Sequence, residues 1–129
     1  GYVKTAFLGT VVMQSGDGVY ILATAKNGPA EILNKQGIPI VEFNLETKFR
    51  PISRFRIESV NGEEIKDIKG LWIATKDLKI GSSARVVFRD SDGTLYNQDI
   101  VPVSRFHYRR EHSLIDFRFS PRANIFAII

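Results

Sequence analysis

The hydrophobic residues fall in short runs separated by turn formers, and the spacing within each run changes along the chain. Thr10-Val11-Val12-Met13 and Val19-Tyr20-Ile21-Leu22 are rich in β-branched and aromatic side chains, and Ser15-Gly16-Asp17-Gly18 stands between them. Two such runs about a Gly/Asp turn predict a β-hairpin. Asn27-Gly28-Pro29 breaks the second run, and Pro29 suits the first turn of a short helix reaching about Asn34 before Gly37 stops it. Ile40 to Leu45, bracketed by Pro39 and Pro51, alternates from Val41 onward and reads as an extra strand or an extended excursion. Phe55-Arg56-Ile57-Glu58-Ser59-Val60 alternates cleanly, which predicts a strand with Phe55, Ile57 and Ser59 on one face. Asn61-Gly62 follows as a tight turn whose two residues tolerate positive φ.

A different period begins after that turn. Ile68, Leu71, Trp72, Thr75 and Leu78 recur at the spacing of one helical face, and Asp67 is placed to cap the helix they define. Gly70 costs that helix about 1 kcal/mol relative to Ala. Gly81 ends it, Ala84 to Arg89 forms a strand, Asp90-Ser91-Asp92-Gly93 a turn, and Thr94 to Val103 another strand. Two aromatic-basic runs, Arg105 to Arg110 and Leu114 to Phe119, predict an additional C-terminal hairpin about Glu111-His112-Ser113. Six to eight strands with one short and one longer helix describe a mainly β or α+β fold, a partly open barrel or sandwich closed by two helices.

Composition narrows what such a fold could do. The chain has 129 residues, enough for one compact core. With 43% hydrophobic and 25% charged residues it has the balance of a globular domain, and no apolar run approaches the roughly 20 residues of a membrane-spanning helix. A leading Gly1 in place of Met leads to the expectation of an excised or mature fragment. Cysteine is absent, which removes disulfides, thiol catalysis and thiolate metal sites. A net charge of +4 is modest, so nucleic acid is the less favoured partner and solubility the plainer reason for the charge.

No catalytic constellation emerges. His107 and His112 are five residues apart, and on the strand and turn predicted there they would point to opposite faces, poorly placed to share a metal. Glu111, His112 and Asp116 read as a solvated loop, and Glu63, Glu64, Asp90 and Asp92 flank turns. There is no Gly-x-Ser-x-Gly elbow, P-loop or His-Glu-x-x-His motif. No catalytic residue, metal or cofactor is assigned. Arginines 105, 109, 110, 118 and 122 alternate with Phe106, Tyr108, Phe117 and Phe119. Such interleaving serves single-stranded nucleic acid in some proteins, but an amphipathic hairpin with aromatics inward produces the same pattern.

The order of these elements resembles the PDZ domains of bacterial trypsin-like (Deg/HtrA-type) serine proteases. Phe7-Leu8-Gly9-Thr10 stands where that family has a Tyr-Leu-Gly-Val-like loop. Pro29-Ala30 matches the end of its Gly-Ser-Pro-Ala helix start, and Gln36-Gly37-Ile38 is similar to its Ala-Gly-Leu helix end. Ser59-Val60-Asn61-Gly62 matches its Ser-Val-Asn-Gly turn, and the Ile68 to Leu78 helix, Gly81 and the Asp92-Gly93 turn complete the series. Arg54-Phe55-Arg56-Ile57 replaces the usual Gly-Asp-x-Ile, and about fifteen residues, 39–53, are inserted before it. The resemblance spans residues 5–103 as one PDZ-like domain and leaves 104–129 as a hairpin and tail.

What the resemblance implies is a non-catalytic peptide- or protein-binding module, a substrate-recognition or regulatory part of a larger protease in the bacterial periplasm or envelope. In such modules an extended peptide adds a strand to a sheet edge and its terminal carboxylate enters a nest of backbone amides. Phe7, Leu8, Gly9 and Thr10 would form the carboxylate loop, with Gly9 allowing the close backbone approach. Val11, Val12 and Met13 would pair with the peptide, and Leu71, Trp72, Thr75 and Leu78 would wall the groove from the helix. Partners would be peptide or protein C-termini. The chain itself closes on Ala127-Ile128-Ile129, an apolar end of the sort such a groove accepts, so this tail is expected to occupy its own or a neighbour's groove and to support self-association through Ile129. The rival readings are a degenerate PDZ-like structural or oligomerisation domain that binds no peptide, and a small basic β-rich nucleic-acid binder.

Overall fold

The computed structural model describes residues 5–16, 18–35, 55–112 and 126–129. Along the chain run β1 (Ala6–Phe7), β2 (Thr10–Ser15), β3 (Gly18–Thr24), a 3-10 turn (Pro29–Glu31) leading into α1 (Ile32–Lys35), β4 (Arg56–Val60) and β5 (Glu63–Glu64). They continue with α2 (Ile68–Lys76), β6 (Ala84–Arg89), β7 (Leu95–Ile100), β8 (Val103–Ser104), α3 (Arg105–His112) and β9 (Phe126–Ile128). The main sheet has the order β7-β6-β4-β3-β2-β9, with β5 hydrogen-bonded to β4, and β1 pairs separately with β8. Every pairing is antiparallel. Among the described residues the sheet stays open, with β7 and β9 at its two ends, so the mainly β, α+β architecture read from the sequence is realised without barrel closure.

Each element follows from local chemistry. In β6 the alternation predicted from sequence buries Ala84, Val86 and Phe88 while Arg85 stays exposed. The turn after β4 has Asn61 at φ 48° and Gly62 at φ 84°, and the Asn61 side-chain oxygen accepts from the Arg85 amide at 2.8 Å. Asp67 caps α2 by accepting from the Gly70 amide at 2.6 Å, and the buried helix face carries Ile68, Leu71 and Thr75. The two apolar residues of that face join Val12, Val19, Ile21, Leu33, Ile57, Val60, Val86, Phe88 and Ile100 in one core. At about 1.5–3 kcal/mol for each large apolar side chain taken from water, that core is the main force holding α2 against the sheet.

Three expectations are overturned. Ser59 does not share the inward face of β4 with Phe55 and Ile57, because the register against β6 shifts between Ile57 and Ser59. This bulge turns Val60 inward in place of Ser59, so Phe55, Ile57 and Val60 are the buried residues. The first arm of the predicted C-terminal hairpin is the helix α3. Four residues of apolar-polar alternation cannot by themselves separate a strand from a helix. Here β8 is only two residues long, and the Ser104 hydroxyl accepts from the His107 amide at 3.4 Å, which starts a helix after it. The second arm, residues 114–119, lies outside the described residues, as do the 39–53 insertion and the Gln36-Gly37-Ile38 helix end. Thr94 to Val103 likewise divides at Pro102 into β7 and β8 rather than forming one strand.

Candidate functional site

The loop between β1 and β2 takes its shape from where its carbonyls go. The Leu8 carbonyl accepts from the Ala30 amide at 2.8 Å, and the Gly9 carbonyl accepts from the Ala25 amide at 2.7 Å. Both peptide units are trans, so an N–H lies opposite each anchored carbonyl. The amides of Gly9 and Thr10 thereby point away from Ala30 and Ala25 respectively. Gly9 holds φ +80°, and a Cβ there would lie 3.4 Å from Pro29 Cδ and 3.5 Å from Gly28 Cα. The conformation is one that a side chain rarely adopts, and the 3-10 turn at Pro29 is packed against its back.

These two amides converge on the chain's own tail. The Ile129 main-chain oxygen accepts from Gly9 N at 3.0 Å, Thr10 N at 3.1 Å and the Thr10 hydroxyl at 3.2 Å. Ile129 N in turn donates to the Thr10 carbonyl at 2.8 Å. Beyond this point β9 runs antiparallel to β2, with Ile128 opposite Val11, Ala127 opposite Val12 and Phe126 opposite Met13. Of the loop residues named from sequence, Gly9 and Thr10 make these contacts. Phe7 and Leu8 are fully buried and support the loop from beneath. All of Val11, Val12 and Met13 lie in the strand ladder with the tail.

The tail's side chains alternate between two environments. Ala127 and Ile129, each 3% exposed, belong to the main core with Leu8, Val12, Ile68 and Leu71. Ile128 points the other way, into a smaller cluster with Phe7, Ala25 and Tyr108, against which Val11 packs. Of the four residues expected on the groove helix, Leu78 lies beyond it, because α2 ends at Lys76 with Asp77 as its cap. The four are divided by depth. Leu71 and Thr75 are buried, while Trp72 and Leu78 are half-buried and lie against the core. The Thr75 hydroxyl donates to the Leu71 carbonyl at 2.7 Å and is thus occupied within its own helix. The first turn of α2 is tied to β2 by Gln14, whose side-chain oxygen accepts from Ile68 N at 3.1 Å.

Three contributors were missed by sequence reasoning: Gln14, Arg105 and Tyr108. The Arg105 guanidinium lies over the Phe7 ring at 5.2 Å and the Trp72 ring at 5.7 Å, joining the loop to α2 by cation–π contact. Tyr108 stacks at a tilt on Phe7 with ring centroids 4.6 Å apart, and its hydroxyl donates to the Lys26 carbonyl. Burial, and secondarily the charge of Glu31, pushes the Tyr108 hydroxyl pKa above its ordinary value. The only legible signal for this role was Ser104 as a helix cap, and it was masked by the alternation of Phe106 and Tyr108. His107 lies on α3 rather than on a strand, and His112 ends the same helix. Among the described residues no group of three or more His, Cys, Asp or Glu could hold a metal. No helix of the described residues is long and apolar enough to cross a membrane.

Comparison with known proteins places the fold. The PDZ domain of a carboxy-terminal protease from Vibrio cholerae, solved in complex with a peptide, superposes with a TM-score of 0.51. It shares 20% sequence identity over 78% of this chain and 96% of that domain. The fold of this chain is therefore PDZ-like. No protein-family model matches the sequence. No curated protein matches it either.

Proposed function

We propose that this chain is a peptide-binding module that receives an extended, apolar-ended peptide as an added strand on β2. The observation that carries this reading is the tail itself: three hydrogen bonds from Gly9 and Thr10 converge on one Ile129 oxygen, and β9 continues as a strand along Val11 to Met13. A peptide carboxylate would present one of its oxygens to the same pair of aimed amides. The PDZ-like fold and the peptide bound by the Vibrio cholerae domain support the same reading. A recognition role within a bacterial envelope protease, of the Deg/HtrA type or another, is the proposed context.

A second reading is favoured by the burial of the tail. With Ile128 and Ile129 8% and 3% exposed, the groove is already filled, as it would be in a structural module that binds nothing else. Titration of a labelled peptide ending in Phe-Ala-Ile-Ile, followed by anisotropy, separates the two. Binding that weakens at least tenfold when the peptide is amidated supports carboxylate capture. Equal affinity for the amidated form refutes carboxylate capture, and no binding once the tail is released favours the structural module.

A further inference from the structure

In an antiparallel strand, successive side chains face opposite sides, so a single added strand can be read on both faces. In this groove both faces are built. One side accommodates Ile129 and Ala127 among Leu8, Val12, Ile68 and Leu71. The other encloses Ile128, only 8% exposed, among Phe7, Ala25 and Tyr108 with Val11 alongside. Tyr108 comes from α3, outside the stretch that reads as a PDZ-like domain, and it is held by its ring contact to Phe7 and its hydrogen bond to the Lys26 carbonyl. Phe7 itself adjoins the loop that aims the Gly9 and Thr10 amides. The second pocket is thus rigidly attached to the anchor of the first.

We propose that α3 completes a second specificity pocket, built from Phe7, Val11, Ala25 and Tyr108, which selects a large aliphatic side chain at the penultimate position of the bound peptide. The ligands are extended peptides ending in two consecutive aliphatic residues after a small one, and the chain's own Ala127-Ile128-Ile129 fills the two sides in that pattern. The inference rests on the peptide-binding reading above. A tethered tail acts at an effective concentration on the order of millimolar, so added peptide competes poorly against it until the tail is weakened. Ile128→Ser removes the tail's grip on the second pocket and leaves every residue of the groove in place.

Labelled peptides ending Phe-Ala-Ile-Ile and Phe-Ala-Ser-Ile are titrated into full-length Ile128→Ser protein, with Ile129→Ser protein as an independent way of freeing the groove. The Phe-Ala-Ile-Ile peptide is expected to bind at least tenfold more tightly than Phe-Ala-Ser-Ile, and at least tenfold more tightly to either variant than to the unmodified chain. Adding Tyr108→Ala should reduce the preference between the peptides to less than threefold, while affinity for Phe-Ala-Ser-Ile stays within threefold. Tyr108→Leu serves the same comparison if the alanine variant fails to fold. Equal binding of the two peptides would overturn the second pocket while leaving peptide binding intact. A tenfold preference that survives loss of the Tyr108 ring would remove α3 from it. Failure of both peptides to bind either freed groove would overturn the peptide-binding reading itself, and the pocket with it.

Discussion

Replacing Gly9 with Ala tests whether backbone geometry in the β1–β2 loop holds the tail. The structure separates the cost into parts. A Cβ at this position meets Pro29 Cδ at 3.4 Å and Gly28 Cα at 3.5 Å, which is ordinary van der Waals contact, so sterics contribute little. The backbone conformation at φ +80° contributes more, about 1–2 kcal/mol for a residue with a side chain. Reduced freedom of the unfolded chain returns about 0.4–1 kcal/mol. The net loss is about 1 kcal/mol in global stability, readable by urea denaturation. If the loop relaxes to negative φ instead, the Gly9 and Thr10 amides swing off the Ile129 oxygen. Two hydrogen bonds at about 0.5–1.5 kcal/mol each then leave the tail, a rise in local opening of about fivefold to 150-fold. Amide hydrogen exchange at Ile129, whose N–H is donated to the Thr10 carbonyl, reports that opening. Gly16→Ala is the control: Gly16 also has positive φ, at +60°, and a Cβ added there would have nothing within 4 Å. Should Gly9→Ala change Ile129 exchange no more than Gly16→Ala does, the carbonyl-anchored loop is not what secures the tail.

Three further outcomes follow from the same structure. Thr10→Val keeps the shape of a buried side chain but removes its hydrogen bond to Ile129; tail exchange should quicken by about threefold to tenfold, for about 1 kcal/mol, with the urea midpoint little moved. Glu58 accepts from Arg89 through both oxygens and from Arg56, and these bonds, Arg89's first, hold its carboxyl below the usual carboxylate range. A carboxylate with a lowered folded pKa contributes stability above the unfolded value of 4.5 that fades as pH falls through the folded one. Glu58→Gln should therefore cost roughly 0.5–1 kcal/mol at pH 7, and part of that difference should vanish in acid denaturation curves taken below about pH 4. The loss has a second source, since Arg56 and Arg89 are cross-strand partners and Glu58 lies between like charges. Asp67→Ala removes the cap on the Gly70 amide and should lower the thermal midpoint by about 3–5 °C, for about 1 kcal/mol.

Much of the fold was legible because its punctuation is chemical. Pro29, Asn61-Gly62 and Asp67 each satisfy a local backbone requirement that a sequence displays directly, and all three stand where expected. Period alone was less informative. Ser59 alternated with Ile57 on paper, yet a bulge whose cause lies in pairing with β6 turned Val60 inward in its place. Phe106 and Tyr108 alternated as in a strand, although one is exposed at 55% and the other buried on a helix whose position depends on Phe7, a hundred residues earlier. The loop geometry at Gly9 and Thr10 could be suggested by resemblance. The anchoring of its carbonyls by Ala25 and Ala30 and the tie from Gln14 to Ile68 arise only once distant segments meet.

The two ends of the main sheet are protected in different ways. The outer strand β7 carries Asn97, Gln98 and Asp99, polar residues that discourage a neighbouring molecule from pairing there. At the other end β2 offers Val11, Val12 and Met13, a run that would invite another chain to stack against it. The three residues of β9 cover that run within one molecule, at no dependence on protein concentration. Without its tail, β2 would therefore be an aggregation-prone edge, and on the proposed function a peptide that displaces the tail would take over the work of keeping copies of this chain apart.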